Sequence, residues 1–197
     1  MQPMRRDASE DRATRQRAEL FALIRKRGFG RGKIKLASGR ESDFYFDLRP
    51  ITLHPVGATC IGDMIVDALE GLAIDHVGGL AMGAIPIATA VAVAGHQRGR
   101  DLGAFFVRKK AKEHGERKLV EGLPKGESLS GRNVVIVEDV TTTGGSALQA
   151  VDAVKAEGAN VVLVVTIVDR LEGASENFAA LRLPFRALFT ADEFLKT

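Results

Sequence analysis

Glu138 and Asp139 stand side by side at the end of an unbroken apolar run, Val134 to Val137. Val140, three threonines (Thr141, Thr142, Thr143), Gly144, Gly145 and Ser146 follow them, and then the helix-like run Ala147 to Lys155. An unbroken Val/Ile run suits a strand buried on both faces, as in a parallel sheet. At the start of the following helix, free backbone N–H groups and the macrodipole favour an anion such as phosphate. The two acids suit a different task, accepting hydrogen bonds from hydroxyls or holding a metal through water. A sugar phosphate satisfies both halves. Adjacent glycines preceded by acids exclude the dinucleotide fingerprint, and no G-x-x-x-x-G-K-[ST] occurs. Neighbours on an extended strand point to opposite faces, so acids sharing one sugar require the chain to be turning already at Asp139. An ordinary strand–turn–helix capped by Thr and Ser is the alternative for these residues alone.

The whole pattern resembles the phosphoribosyl-diphosphate motif of the phosphoribosyltransferases. Other stretches add chemistry of the same kind. Arg108-Lys109-Lys110-Ala111-Lys112-Glu113-His114-Gly115 gathers four cations and a histidine. A solvated face is the ordinary meaning of such a run, but here it leaves a strand, where a diphosphate leaving group needs cations on a loop able to close. Ala81-Met82-Gly83-Ala84-Ile85-Pro86 combines small residues with a helix start, which lets backbone approach an anion or simply makes a tight turn. Val168-Asp169-Arg170-Leu171-Glu172-Gly173 places an arginine at a strand end, able to grip a carboxylate through two parallel hydrogen bonds or to pair with Glu172 or Asp169 at the surface.

R-K-x-x-K-x-H-G resembles the mobile loop of the orotate phosphoribosyltransferases, and V-D-R-x-E-G their substrate-facing segment. The stretch Leu36 to Asp47 resembles their N-terminal hood, S-G-x-x-S-x-x-Y/F-F. The resemblance implies a type I phosphoribosyltransferase fold, α/β, with a parallel sheet flanked by helices and a small hood. It implies that Arg108, Lys109, Lys112 and His114 contact diphosphate, with Lys112 the main catalytic cation. Glu138 and Asp139 would hold the ribose hydroxyls, Asp139 counting with Lys112 as catalytic, and Val140 through Ser146 would complete the phosphoribosyl site. Thr142, Arg170, Tyr45 and Phe46 would meet orotate; strand packing is the alternative for one of the two aromatic residues. Further implications are Mg²⁺ carried mainly on the substrate diphosphate, a cis peptide near Ala81–Met82, and a homodimer sharing the 108–118 loop. Two positions depart from the family: Gly83 and Ala37 stand where many or some relatives have lysine. The reaction implied joins orotate to 5-phospho-α-D-ribose 1-diphosphate. A transferase for another base would not need Arg170 or the cationic loop, and a ligand-sensing regulator would need an added nucleic-acid-binding segment.

Composition agrees with a soluble enzyme-sized domain: 197 residues, 45% hydrophobic and 27% charged. The net charge of +3 is too mild to argue for nucleic acid, and much of it sits in Arg5, Arg6, Arg12, Arg15 and Arg17. A single cysteine, Cys60, excludes an internal disulfide and fits a reducing cytoplasm; it falls on an apolar helix face, as a core residue would. Neither a membrane span nor a secretory signal is expected. His54, His76 and His96 lack ligand spacing.

The elements that must position these residues read as one domain, with a hood from 11–50, a core from 51–170 and a C-terminal segment from 171–197. Residues 1–10 read as loose and Asp11 to Arg27 as an amphipathic helix. Gly28, Gly30 and Gly32 read as a flexible connection, and Lys33–Ala37 and Phe44–Leu48 as hood strands around a turn at Ser38-Gly39-Arg40. Helices are expected over Pro55–Leu72 and Ile87–His96, and further strands over His76–Ala81, Gly103–Val107 and Asn160–Val168. Strands alternating with helices imply right-handed crossovers and a parallel sheet, with ligands at the carboxyl ends of its strands.

Overall fold

The computed structural model describes residues 4–35, 41–110 and 119–196. In chain order the first half holds α1 (Met4–Arg27), β1 (Phe29–Lys35), β2 (Glu41–Phe46), the one-turn α2 (Arg49–Thr52), α3 (Pro55–Ala68), β3 (His76–Leu80) and α4 (Ala84–Gln97). The second half holds β4 (Gly103–Val107), β5 (Val120–Glu121), β6 (Asn133–Thr141), α5 (Gly145–Ala156), β7 (Asn160–Asp169), α6 (Ala174–Ala180), β8 (Phe185–Thr190) and α7 (Ala191–Leu195). Six strands make the main sheet in the order β5-β4-β3-β6-β7-β8. All its pairings are parallel except the short edge strand β5 on β4. The α/β parallel architecture expected from the alternating pattern is therefore the one formed.

The Val/Ile runs explain the layering. Along β6, Val135 and Val137 pack with α1, α3 and α4 on one face. Val134 and Ile136 pack with α5 and with Phe178 of α6 on the other. All four are fully buried, which requires β6 to be an interior strand, and it lies between β3 and β7. The carboxyl ends of β3, β4 and β6 thus open on one side of the sheet, followed by the loops that carried the unusual residues.

The hood differs from expectation. β1 begins at Phe29, inside the glycine stretch read as a flexible connection, and pairs antiparallel with β2. Gly30 is there for space: a Cβ would stand 2.3 Å from the Tyr45 ring that covers it across the pair. α1 begins at Met4, so residues 4–10, read as loose, are helical. Two of its arginines meet acids of the same chain, Arg17 with Glu193 at 2.7 Å and Arg12 with Asp67 at 3.9 Å. β2 ends at Phe46 rather than Leu48, and α3 stops at Ala68 rather than Leu72. An aromatic cluster then ties the hood to both chain ends: Phe29 and Phe46 contact Phe194 of α7, and Phe194 stacks on Phe21 of α1 at 4.5 Å. The turn at Ser38-Gly39-Arg40 and the hood position Ala37 lie outside the described residues. No described helix is long and apolar enough to cross a membrane.

Gly79 sets how closely β3 and β6 approach beneath the site. A Cβ there would fall 2.2 Å from the Val137 carbonyl oxygen and 2.8 Å from the Ala84 Cβ. Gly79→Ala is expected to cost about 1–3 kcal/mol as the sheet or α4 gives way. The midpoint of urea unfolding reads this directly, and an unchanged midpoint would contradict the packing described.

Candidate active site

A cavity of about 890 Å³ opens at the carboxyl ends of β3, β4 and β6. Its walls come from Arg49 and Leu53 near α2, the 81–86 turn with the start of α4, Lys109 after β4, and Glu138, Asp139 and Ser146. One side continues as a groove between α3 and α4, past Thr59, Asp63, Thr89 and Val93. The structure thus gathers Lys109, Glu138, Asp139 and Ser146 of the sequence candidates at one cavity.

β6 continues as strand through Thr141, so the chain is not already turning at Asp139. The two acids keep to opposite faces and reach the same cavity because it lies across the strand end. Glu138 turns toward α5, accepting from the Thr141 hydroxyl at 3.1 Å, the Ser146 side chain and the Ala147 N–H. Asp139 turns toward the 81–86 turn, where it stands against Gly83, and accepts from the Val140 N–H at 2.8 Å. The Ala81–Met82 peptide is cis. Thr141 is buried, with its hydroxyl committed to Glu138. The turn itself is set by Gly144, whose φ of +84° is left-handed and whose Cβ would meet the buried Phe178 ring at 2.7 Å. Asn177 of α6 donates to the Thr143 carbonyl at 2.8 Å and holds the turn from behind. Thr142, Thr143, Gly144 and Gly145 occupy this turn into α5, where its unpaired N–H groups begin.

The remaining candidates are placed around this centre. Arg108 pairs with Glu121 of β5 at 3.2 Å, and the Lys109 carbonyl accepts from Gln149 of α5. Lys112 and His114 lie outside the described residues. Along β2 the side chains alternate: Tyr45 faces outward, whereas Phe46 turns inward onto Phe29 and Phe194. Arg170 is buried, 5% exposed. Its Nε donates to Glu172 at 2.7 Å and one terminal nitrogen donates to the Ser42 hydroxyl at 2.8 Å, while the guanidinium lies 4.3 Å over the Phe44 ring. The pairing with Glu172 forms, but in the interior, as a joint between the end of β7 and the hood. Asp169 beside it accepts from the Leu171 N–H, and burial raises its carboxyl above the ordinary range. Cys60 is a core residue, its thiol pushed up to about 11, chiefly by burial.

The Phosphoribosyl transferase domain family matches residues 54–183. Two orotate phosphoribosyltransferases align along most of the chain. That of Bradyrhizobium diazoefficiens is 57% identical over 91% of this chain and 96% of its own. That of Rhodopseudomonas palustris is 59% identical over 92% and 97%. The chain belongs to the orotate phosphoribosyltransferase family. The crystal structure of the Mycobacterium tuberculosis orotate phosphoribosyltransferase with 5-phospho-alpha-D-ribosyl 1-diphosphate superposes with a TM-score of 0.75 at 40% identity, over 91% of this chain and 98% of that one.

Within this orotate phosphoribosyltransferase fold, two charged cavity residues went unread in the sequence, Arg49 and Asp63. Arg49 opens α2 at the cavity rim, and only its spacing from Asp47 hinted at a fixed orientation. The acids are the electrostatic extreme of the site. Burial, then the neighbouring Asp139 charge, pushes the Glu138 carboxyl up to about 7, and burial also raises that of Asp139. A carboxyl raised on folding favours the folded state fully only below its unfolded value near 4.5, and that advantage is lost as pH climbs toward 7. In the ligand-free protein, Glu138→Gln is therefore expected to gain roughly 2 kcal/mol over the parent as pH rises from about 5 to 8. Denaturant unfolding across that range measures it; a gap independent of pH would contradict the desolvated ground state.

Proposed function

We propose that this chain transfers the ribose 5-phosphate group from 5-phospho-α-D-ribose 1-diphosphate to orotate, releasing diphosphate. The observation that carries the reading is the pairing, at one strand end, of two desolvated acids with the N-terminal turn of α5. Hydroxyls satisfy the first and a phosphate the second. Family membership narrows the reaction, since relatives matched along nearly their whole length are orotate phosphoribosyltransferases.

In this reading Glu138 and Asp139 accept from the ribose hydroxyls, and the backbone of Thr142 to Gly145, with Ser146, takes the 5′-phosphate. Breaking the anomeric C–O bond leaves cationic character on the ribose and added negative charge on the diphosphate. Asp139 and Glu138, kept close by the sheet, offset the first. Arg108, Lys109, Lys112 and His114 offset the second when the 108–118 loop closes, and closure keeps water from the activated ribose. Mg²⁺ fits the donor chemistry here as an ion that would be held mainly by the diphosphate, with Glu138 and Asp139 as carboxylates of the same cavity; bound there it would supply further positive charge to the leaving group. Arg170 would meet the orotate carboxylate, with Thr142 on the ring and Tyr45 as the outward-facing aromatic of the hood. A homodimer in which the 108–118 loop reaches the partner's site is part of the same proposal. Leu53, Met82 and Val93, exposed and apolar at the cavity mouth, suit such an interface.

The assay is direct. Incubation with phosphoribosyl diphosphate and Mg²⁺ is expected to consume orotate and not a purine base; turnover of another base without orotate loss would sink the assignment. Lys112→Ala is expected to lower kcat about 10²–10³-fold, as the loss of one preorganised charge stabiliser does. Unchanged turnover would remove Lys112 from the mechanism.

A further inference from the structure

Among the described residues lining the cavity, Arg49 and Lys109 are the basic ones, set against the carboxylates of Asp63, Glu138 and Asp139. The 81–86 turn, which walls the cavity beside Asp139, brings no cation. Gly83 is pressed against Asp139, where a Cβ would stand 3.1 Å from three of its carboxyl atoms, so a side chain there would be crowded. A cation for this wall has to come from another element, and α2 supplies it.

Arg49 is held in place at both its backbone and its head group. Leu48 before it and Ile51 after it are fully buried, which fixes the turn that presents it. Asp47 then clamps the guanidinium, Oδ1 to Nε at 2.8 Å and Oδ2 to Nη2 at 2.9 Å, while Oδ1 also accepts from the Arg49 N–H at 3.1 Å. The clamp leaves the two Nη1 hydrogens outside it. Two parallel bonds of this kind fix direction more than they add stability. The Arg49 side chain is 77% exposed, and pairs of that exposure contribute little to folding. A rigid, forked cation at a cavity mouth, worth little as a structural pair, is built to meet an anion. Arg49 also lies close enough to Asp139 for the two charges to attract, so its anion would sit at the diphosphate end of a sugar held on that acid.

We propose that Arg49 binds the diphosphate of the substrate, with Asp47 as its positioning residue. This rests on the activity proposed above and adds a binding residue to it. The test is calorimetric titration of phosphoribosyl diphosphate and of inorganic diphosphate, each with Mg²⁺, onto wild type, Arg49→Ala, Arg49→Lys and Asp47→Asn. Orotidine 5′-monophosphate, which has no diphosphate, is the control ligand. Arg49→Ala is expected to weaken both diphosphate ligands about 10–100-fold, the range for hydrogen bonds to charged groups, and to leave orotidine 5′-monophosphate affinity unchanged. Arg49→Lys keeps the charge without the fork and Asp47→Asn keeps the fork without its clamp, so both fall between. Wild-type diphosphate affinity in Arg49→Ala would overturn the proposal, and so would an equal loss for all three ligands, which marks a structural role. A wild-type protein that binds none of them would instead overturn the activity itself, which separates the two failures.

Discussion

Two carboxylates desolvated at the tip of the central strand are the constraint around which this molecule is arranged. β6 is apolar on both faces from Val134 to Val137, so it must lie inside the sheet, and Glu138 and Asp139 are the first polar side chains after that run. Their burial is unfavourable to the charged forms, and the nearby donors only partly offset this: Thr141, Ser146 and the Ala147 N–H for one acid, the Val140 N–H and the Arg49 charge for the other. What remains is a pair of groups whose charged forms gain from a ligand's hydroxyls or a cation. Stability is spent where binding recovers it, a common arrangement at catalytic sites.

The hood extends that logic to the second substrate. A two-stranded sheet is marginal alone, and this one is held by aromatic contacts to Phe194 of α7, which in turn stacks on α1, and by the Arg170 joint. Because Arg170 touches Ser42 and Phe44 while rooted at the end of β7, the residue proposed to meet the base is the same one that fixes the hood strand. In that proposal, recognition of the base and placement of the hood are linked through one side chain.

The parallel sheet was legible because Val/Ile runs and strand–helix alternation carry it, and residues of the acid–threonine–glycine stretch line its cavity. The hood was less legible. Gly30 and Gly32 look like linker, yet Gly30 is a contact partner for Tyr45, a relation set by cross-strand register and invisible along the chain. Asp139 was expected at a turn because a single face was assumed; the cavity instead spans the strand end and admits both faces. Arg170 read as a surface or substrate arginine, and its burial depends on Ser42 and Phe44, more than 120 residues away in sequence. Arg49 carried no pattern beyond its neighbour Asp47. Contacts that depend on two distant elements meeting do not show as local periodicity.

A crystal structure with bound orotidine 5′-monophosphate would show whether the two acids and the α5 turn hold one sugar phosphate. The phosphate is expected on the backbone of Thr142 to Ser146, the ribose hydroxyls within hydrogen-bond reach of Glu138 and Asp139, and the orotate carboxylate at Arg170. A nucleotide seated elsewhere, or one whose ribose leaves both acids untouched, would contradict this placement.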